Sequence, residues 1–186
     1  MEVKADFDEL LASIRACRLC AEHLQAGARL LIAGQAPGRR VHETGIPFND
    51  PSGDRLREWM GIDRETFYDE TRIAILPMGF CYPGTLPKQG DLPPRPECAP
   101  QWRPALMAAL PEVRLVLAVG AYAQGWHLAG REGRTLTETV RRFRDYMPGV
   151  LPLPHPSPRN NLWLRKNPWF EAEILPVLKA EVAALL

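Results

Sequence analysis

No run in this chain approaches the eighteen or so apolar residues of a membrane span, and no block of one charge sign dominates it. Lys and Arg number 23 against 22 Asp and Glu, leaving a formal net charge of +1. A polyanion would therefore have to be held by a local patch. Internal repeats and low-complexity tails are absent too, which excludes solenoid and linker-like architectures. The opening stretch "MEVKADFDELLASIRACRLC" is acidic and amphipathic rather than basic and then apolar, so the expectation is a cytoplasmic protein without a membrane partner. Cysteine is scarce, with four residues: Cys17, Cys20, Cys81 and Cys98. In a reducing compartment an even count argues only weakly for disulfides, whereas C-x-x-C points to metal or redox chemistry.

What is present suits one folded unit. The 186 residues are 46% hydrophobic, enough for a single core, and the expected organisation is one domain over residues 1–186. "FDELLASIRACRLCAEHL" has apolar residues near helical spacing and predicts a first helix to about Leu24. "RLLIAG", "RIAILPMG", "VRLVLAVG" and "GVLPLPHPS" read as buried strands. "GDRLREWMG" predicts a short helix capped by Ser52 or Asp54. Further helices are expected on "APQWRPALMAAL", "AYAQGWHLAG", "TLTETVRRFRDYM" and "NPWFEAEILPVLKAEVAALL". Strands alternating with helices predict an α/β three-layer sandwich, with a central, mostly parallel four-stranded sheet flanked by helices. In such sheets ligands bind beyond the carboxyl ends of the strands, where "GQAPG", "PMGFC" and "HPSPRN" fall.

The proline-rich stretch "CYPGTLPKQGDLPPRPECAP" shows no helical or strand period. A loop this long inside a compact domain is either disordered or tied down. Cys81 and Cys98 stand at its ends, and Cys17 and Cys20 are close enough to share a metal centre, so joining all four would pin the first helix to this loop. Spacing alone does not separate tetrahedral zinc from a four-iron cluster, since both accept four thiolates.

Several short blocks occur together in order: "RACRLC", "GQAPG" with "TGIPF" behind it, a Cys after the second strand, a Cys opening the next helix, and "HPS" after the last strand. In this the chain resembles the iron–sulfur branch (family four) of the uracil-DNA glycosylase superfamily, across nearly its whole length. The resemblance implies a monomeric, monofunctional DNA-repair glycosylase that hydrolyses the N-glycosidic bond of a damaged, uracil-like base flipped out of single-stranded or duplex DNA. It also implies a [4Fe–4S] cluster on Cys17, Cys20, Cys81 and Cys98, with zinc as the alternative. His155 would donate to the base oxygen that becomes anionic. The backbone of Gly34, Gln35, Ala36, Pro37 and Gly38 would surround the base and position water. Phe48 would stack on the base, and Ser157 and Arg159 would contact the substrate, Arg159 by filling the gap in the stack or binding phosphate.

The chain departs from that pattern in informative places. The family's "GEAPG" acid is Gln35 here, followed by Arg39, Arg40, Val41 and His42. Candidates for activating water are therefore Asp50 first, then Glu43 and Asp54, with His42 as a neutral alternative. An asparagine that reads the uracil edge is replaced by Pro77. This leaves open an enzyme for another base or for RNA, or a non-catalytic binder of damaged nucleic acid. Arg39 with Arg40, Arg141 with Arg142 and Arg144, and Arg165 with Lys166 could form the phosphate patch.

Overall fold

The computed structural model describes residues 25–86 and 90–186. The expected first helix, with Cys17 and Cys20, lies outside the described residues. Four short strands, β1 (Leu30–Ala33), β2 (Ile73–Ile75), β5 (Leu115–Val119) and β6 (Val150–Leu153), form one sheet in the order β2-β1-β5-β6. Every pairing in it is parallel, with Leu30 opposite both Ile73 and Leu115, and Val116 opposite Val150. The expected sheet is thus present, and it is wholly parallel.

All of its strand residues are buried because helices cover both faces. On one face Leu30, Ile32, Leu117 and Leu151 pack with Leu56, Trp59, Phe143, Phe170 and Leu178. On the other Leu31, Ala74, Val116 and Ala118 meet Ala99, Ala123 and Leu128. Pro152 is tolerated in β6 because that strand is an edge, where a missing N–H leaves no ladder bond unmade.

The helices among the described residues are α1 (Arg39–Thr44), α2 (Pro51–Met60), α3 (Arg64–Phe67), α4 (Cys98–Ala108), α5 (Ala121–Leu128), α6 (Leu136–Arg141), α7 (Asn161–Lys166) and α8 (Leu175–Leu185); α2, α4, α5, α6 and α8 stand where helices are expected, whereas the short α1, α3 and α7 are additions the sequence reading lacks. Two details correct the sequence reading. The cap of α2 is Asp50, whose side chain accepts from the Gly53 N–H at 2.9 Å, rather than Ser52 or Asp54, which lie inside the first turn. The proline-rich stretch is also not featureless: β3 (Thr85–Leu86) and β4 (Gly90–Asp91) pair antiparallel, and Gly84 and Gly90 supply positive φ of 96° and 98° beside them.

Candidate active site

The first wall of the site is the loop that leaves β1. The Gly34 and Gln35 carbonyls accept from the N–H groups of Met78 and Gly79, each at 2.9 Å, so the exit of β2 braces the "GQAPG" turn. The Gln35 side chain donates to the Leu92 carbonyl at 3.2 Å, tying the same turn to the proline-rich stretch. Further along, Phe48 has φ 54°, a left-handed conformation that a non-glycine residue adopts only when its surroundings hold it. Its surroundings do so. Tyr68 donates its hydroxyl to the Pro47 carbonyl at 2.7 Å. The Phe48 ring meets Phe67 edge-on at 6.0 Å. A Cβ on Gly34 would stand 3.3 Å from the tip of the Phe48 ring, and one on Gly53 would overlap the Phe48 carbonyl oxygen at 1.7 Å.

The second wall leaves β6. The Ser157 N–H donates to His155 Nδ1 at 3.1 Å, which leaves the imidazole proton on Nε2. Burial pushes the His155 pKa below its ordinary value, and the negative charges of Asp50 and Asp91 oppose this only in part. The ring is therefore neutral near pH 7 and offers Nε2–H as a donor. The surrounding backbone is clamped by side chains. Asn160 donates to the His155 carbonyl at 2.7 Å, Arg55 to the carbonyls of Pro156 and Ser157 at 3.2 Å each, and Gln124 to that of Leu153 at 2.8 Å.

Between these walls lies a cavity of about 320 Å³, at the small-ligand end of the usual range. Gly34, Gln35, Ala36, Pro37, Gly38, Phe48, Asp50, His155, Ser157 and Arg159 all line it, so residues named from two distant sequence blocks meet. His42 is not among the lining residues; its ring stacks on Tyr82 at 5.7 Å. Of the acids considered for water activation, Asp50 lines the cavity, whereas Glu43 pairs with Arg39 at 2.9 Å and Asp54 with Arg57 at 2.5 Å. Pro77 also lines it.

Sequence reasoning missed several residues here. Asp91 lines the cavity from β4, a two-residue strand with no period to betray it. Arg103 is fully buried and donates to the carbonyls of Leu76 and Pro77 at 2.8 and 3.0 Å, with His127 Nε2 2.5 Å away. It fixes the β2 exit that braces the first wall. Burial and then the Arg103 charge push the His127 pKa down to about 4, so this ring is a neutral partner for the guanidinium. Of the basic clusters, Arg142 pairs with Asp145 at 2.9 Å, while Arg141 and Arg144 lie over the rings of Trp169 and Phe143.

At the far end of the proline-rich stretch the Phe80 N–H points to Cys98 Sγ at 3.4 Å, which brings that sulfur beside the residue preceding Cys81. Both cysteines are half-buried. A family model described as the uracil DNA glycosylase superfamily matches residues 21–179.

Proposed function

Because the chain belongs to the uracil DNA glycosylase superfamily, we propose that it takes a damaged, deaminated base out of DNA and hydrolyses its N-glycosidic bond without cutting the strand. The observation that carries this reading is a neutral His155, its tautomer set by the Ser157 N–H, in the same cavity as Phe48 and Asp50.

As the bond breaks, its electron pair stays with the base and positive charge builds on the deoxyribose. His155 Nε2–H donates to the base oxygen that becomes anionic, a kind of preorganised contact worth about 3–4 kcal/mol. Phe48 stacks on the base, a contact worth about 1–3 kcal/mol that is indifferent to which base it is. Asp50 uses Oδ1 to cap α2 and orients a water toward the sugar; the water adds its oxygen to the sugar carbon and its proton ends on the base or solvent. Asp50→Asn keeps the cap, since Asn is as good at that position, so a rate loss at unchanged melting temperature would assign Asp50 to the water.

The four cysteines Cys17, Cys20, Cys81 and Cys98 would hold a [4Fe–4S] cluster, with zinc as the alternative ligand-equivalent metal. Its contribution there would be structural, tying the proline-rich stretch to the chain's first segment. Protein purified without oxygen should be brown, with about four irons per chain; colourless protein with one zinc would replace the cluster by zinc.

The test of the activity is incubation with oligonucleotides carrying uracil, hypoxanthine, xanthine or oxidised pyrimidines, followed by alkaline cleavage. Strand breaks that appear only after alkali establish a monofunctional glycosylase. Binding to the damaged strands without any alkali-labile site would make the protein a binder instead.

A further inference from the structure

Pro77 stands where a base reader would be expected and contributes no hydrogen-bonding side chain to the cavity, yet the β3–β4 hairpin supplies one. Asp91 lines the cavity and belongs to no catalytic role assigned above. Its placement is built. Oδ1 accepts the Thr85 hydroxyl at 2.7 Å, and Thr85 is in turn hydrogen-bonded to the Tyr82 hydroxyl. Next to it the Leu92 N–H donates to the Gly84 carbonyl at 2.8 Å, and the Leu92 carbonyl accepts from Gln35. The other oxygen, Oδ2, lies 3.5 Å from where a Cβ on Gly38 would stand, directly over the "GQAPG" turn. Its charge also acts on the His155 imidazole, as does that of Asp50.

We propose that Asp91 is the specificity-determining reader of this site, accepting a hydrogen bond from a ring N–H of the flipped base. A carboxylate has only acceptors to offer. Deamination of cytosine or adenine changes one feature in the same way in both: a ring nitrogen that carried a lone pair becomes a lactam N–H. Facing Asp91, the deaminated base supplies a donor, whereas the parent base sets lone pair against lone pair and leaves a carboxylate unpaired. The substrate class is thus the lactam N–H base, pyrimidine or purine alike, and ring size is left to a cavity whose stacking surface is indifferent to it. An amide reader, which pairs a donor and an acceptor with one base edge, would be narrower. Asp91 thus offers a different kind of reader from a different position, while Pro77 holds the place of the asparagine.

This inference rests on the cavity being a base pocket, and its test separates the two. Equilibrium binding is measured with single-stranded oligonucleotides bearing non-cleavable 2′-fluoro nucleotides in two matched pairs, uracil against cytosine and hypoxanthine against adenine. Single-turnover cleavage of the ordinary uracil and hypoxanthine strands is followed in parallel. Asp91→Asn retains an oxygen for Thr85 and so preserves the hairpin, but its amide can turn an N–H toward a lone pair. The wild-type preference for the deaminated member should fall by about tenfold or more in both pairs, since a bound base covers a carboxylate that is exposed in the free protein and, when it offers no donor, leaves that carboxylate unpaired. Asp91→Ala removes the acceptor and the repelling lone pairs together, so affinity for the deaminated members should fall while that for the parent bases holds or rises.

A preference unchanged by Asp91→Asn, or wild-type binding with no base preference, overturns the reader. A preference that shifts as expected in a protein that cleaves nothing upholds the reader and overturns the glycosylase reading.

Discussion

The stretch from the end of β1 into the first turn of α2 is shaped by what its glycines leave out, whereas the loop after β6 is shaped by side chains that clamp its carbonyls. In the first, Gly34 and Gly53 make room for the ring and the carbonyl of Phe48, whose backbone sits at φ 54°. In the second, Asn160 holds the carbonyl of His155 itself, Arg55 those of Pro156 and Ser157, and Gln124 that of Leu153. The difference follows from what each loop presents. A stacking ring needs a fixed plane, which close backbone packing enforces. A hydrogen-bond donor needs a fixed tautomer and direction, which a network of polar contacts sets more sharply.

The harshest way to break this asymmetry is Gly53→Ala. The new Cβ would overlap the Phe48 carbonyl oxygen at 1.7 Å, a backbone atom with no flexible side chain to yield. We expect a loss of about 4 kcal/mol or more in unfolding free energy, in the range reserved for core disruption. Denaturant unfolding measures it, and a loss under about 1 kcal/mol would mean that the Phe48 turn relaxes readily and is not held by close packing.

His155→Ala addresses the second loop's product rather than its frame. The donor strengthens its bond mainly in the transition state, so the single-turnover rate should fall by about a hundredfold or more with affinity within a few-fold. The acid limb sharpens the same point. The folded His155 pKa lies below its ordinary value, so the ring is neutral at and above pH 6.5 and the rate is flat there. The rate declines only as pH falls through the folded pKa, where a proton on Nδ1 would face the Ser157 N–H. The same shift stabilises the fold above pH 6.5, and that contribution is lost as pH drops below it. A rate that rises on acidification would assign the imidazolium rather than the neutral ring to catalysis.

Arg55→Met tests the frame itself. It keeps the apolar length of the side chain but removes the donor to Pro156 and Ser157. A rate loss of about tenfold is expected, with unfolding free energy changed by about 1–2 kcal/mol, because the histidine's aim is disturbed while the chemistry remains. If the rate loss matches that of His155→Ala, Arg55 itself meets the reacting groups.

These two kinds of loop also differ in how far they can be read from sequence. The four strands were legible because each is a short apolar run ending in a turn, and both site loops follow from their place at strand ends. The cavity lining named from "GQAPG", "PFND" and "HPSPRN" was legible for the same reason, strengthened by the family's motifs. What was not legible depends on contacts far apart in the chain. Arg103 sits in "QWRPALM" and reads as a surface residue of a helix, and only the fold buries it against the β2 exit. Arg55 likewise reads as one charge on a wet helix face. The β3–β4 hairpin, and Asp91 with it, has strands two residues long, too short for any period. Asp50 was named as a water activator but not as the cap of α2, because Ser52 and Asp54 compete for that position in sequence and only the extended backbone of Asp50 decides it.

Arg159 is where the two walls meet, and it carries the smallest expected effect. Its guanidinium lies against Gly90 of β4, close enough that a Cβ on Gly90 would collide with it, while Arg159 itself is exposed and lines the cavity. From there it can lean into the gap left by a flipped base or meet a phosphate. Only duplex DNA offers a gap to fill and a stack to break, so a wedge and a phosphate contact differ in which substrate they favour. If Arg159 fills the gap, Arg159→Ala should weaken duplex binding by roughly fivefold and single-strand binding by less than twofold, with little change in the salt dependence of either. If it holds a phosphate, both affinities should drop alike and the slope of log affinity against log salt should flatten by about one unit. Binding isotherms on matched single- and double-stranded oligonucleotides at several salt concentrations distinguish the two outcomes. Equal losses would assign Arg159 to plain phosphate contact.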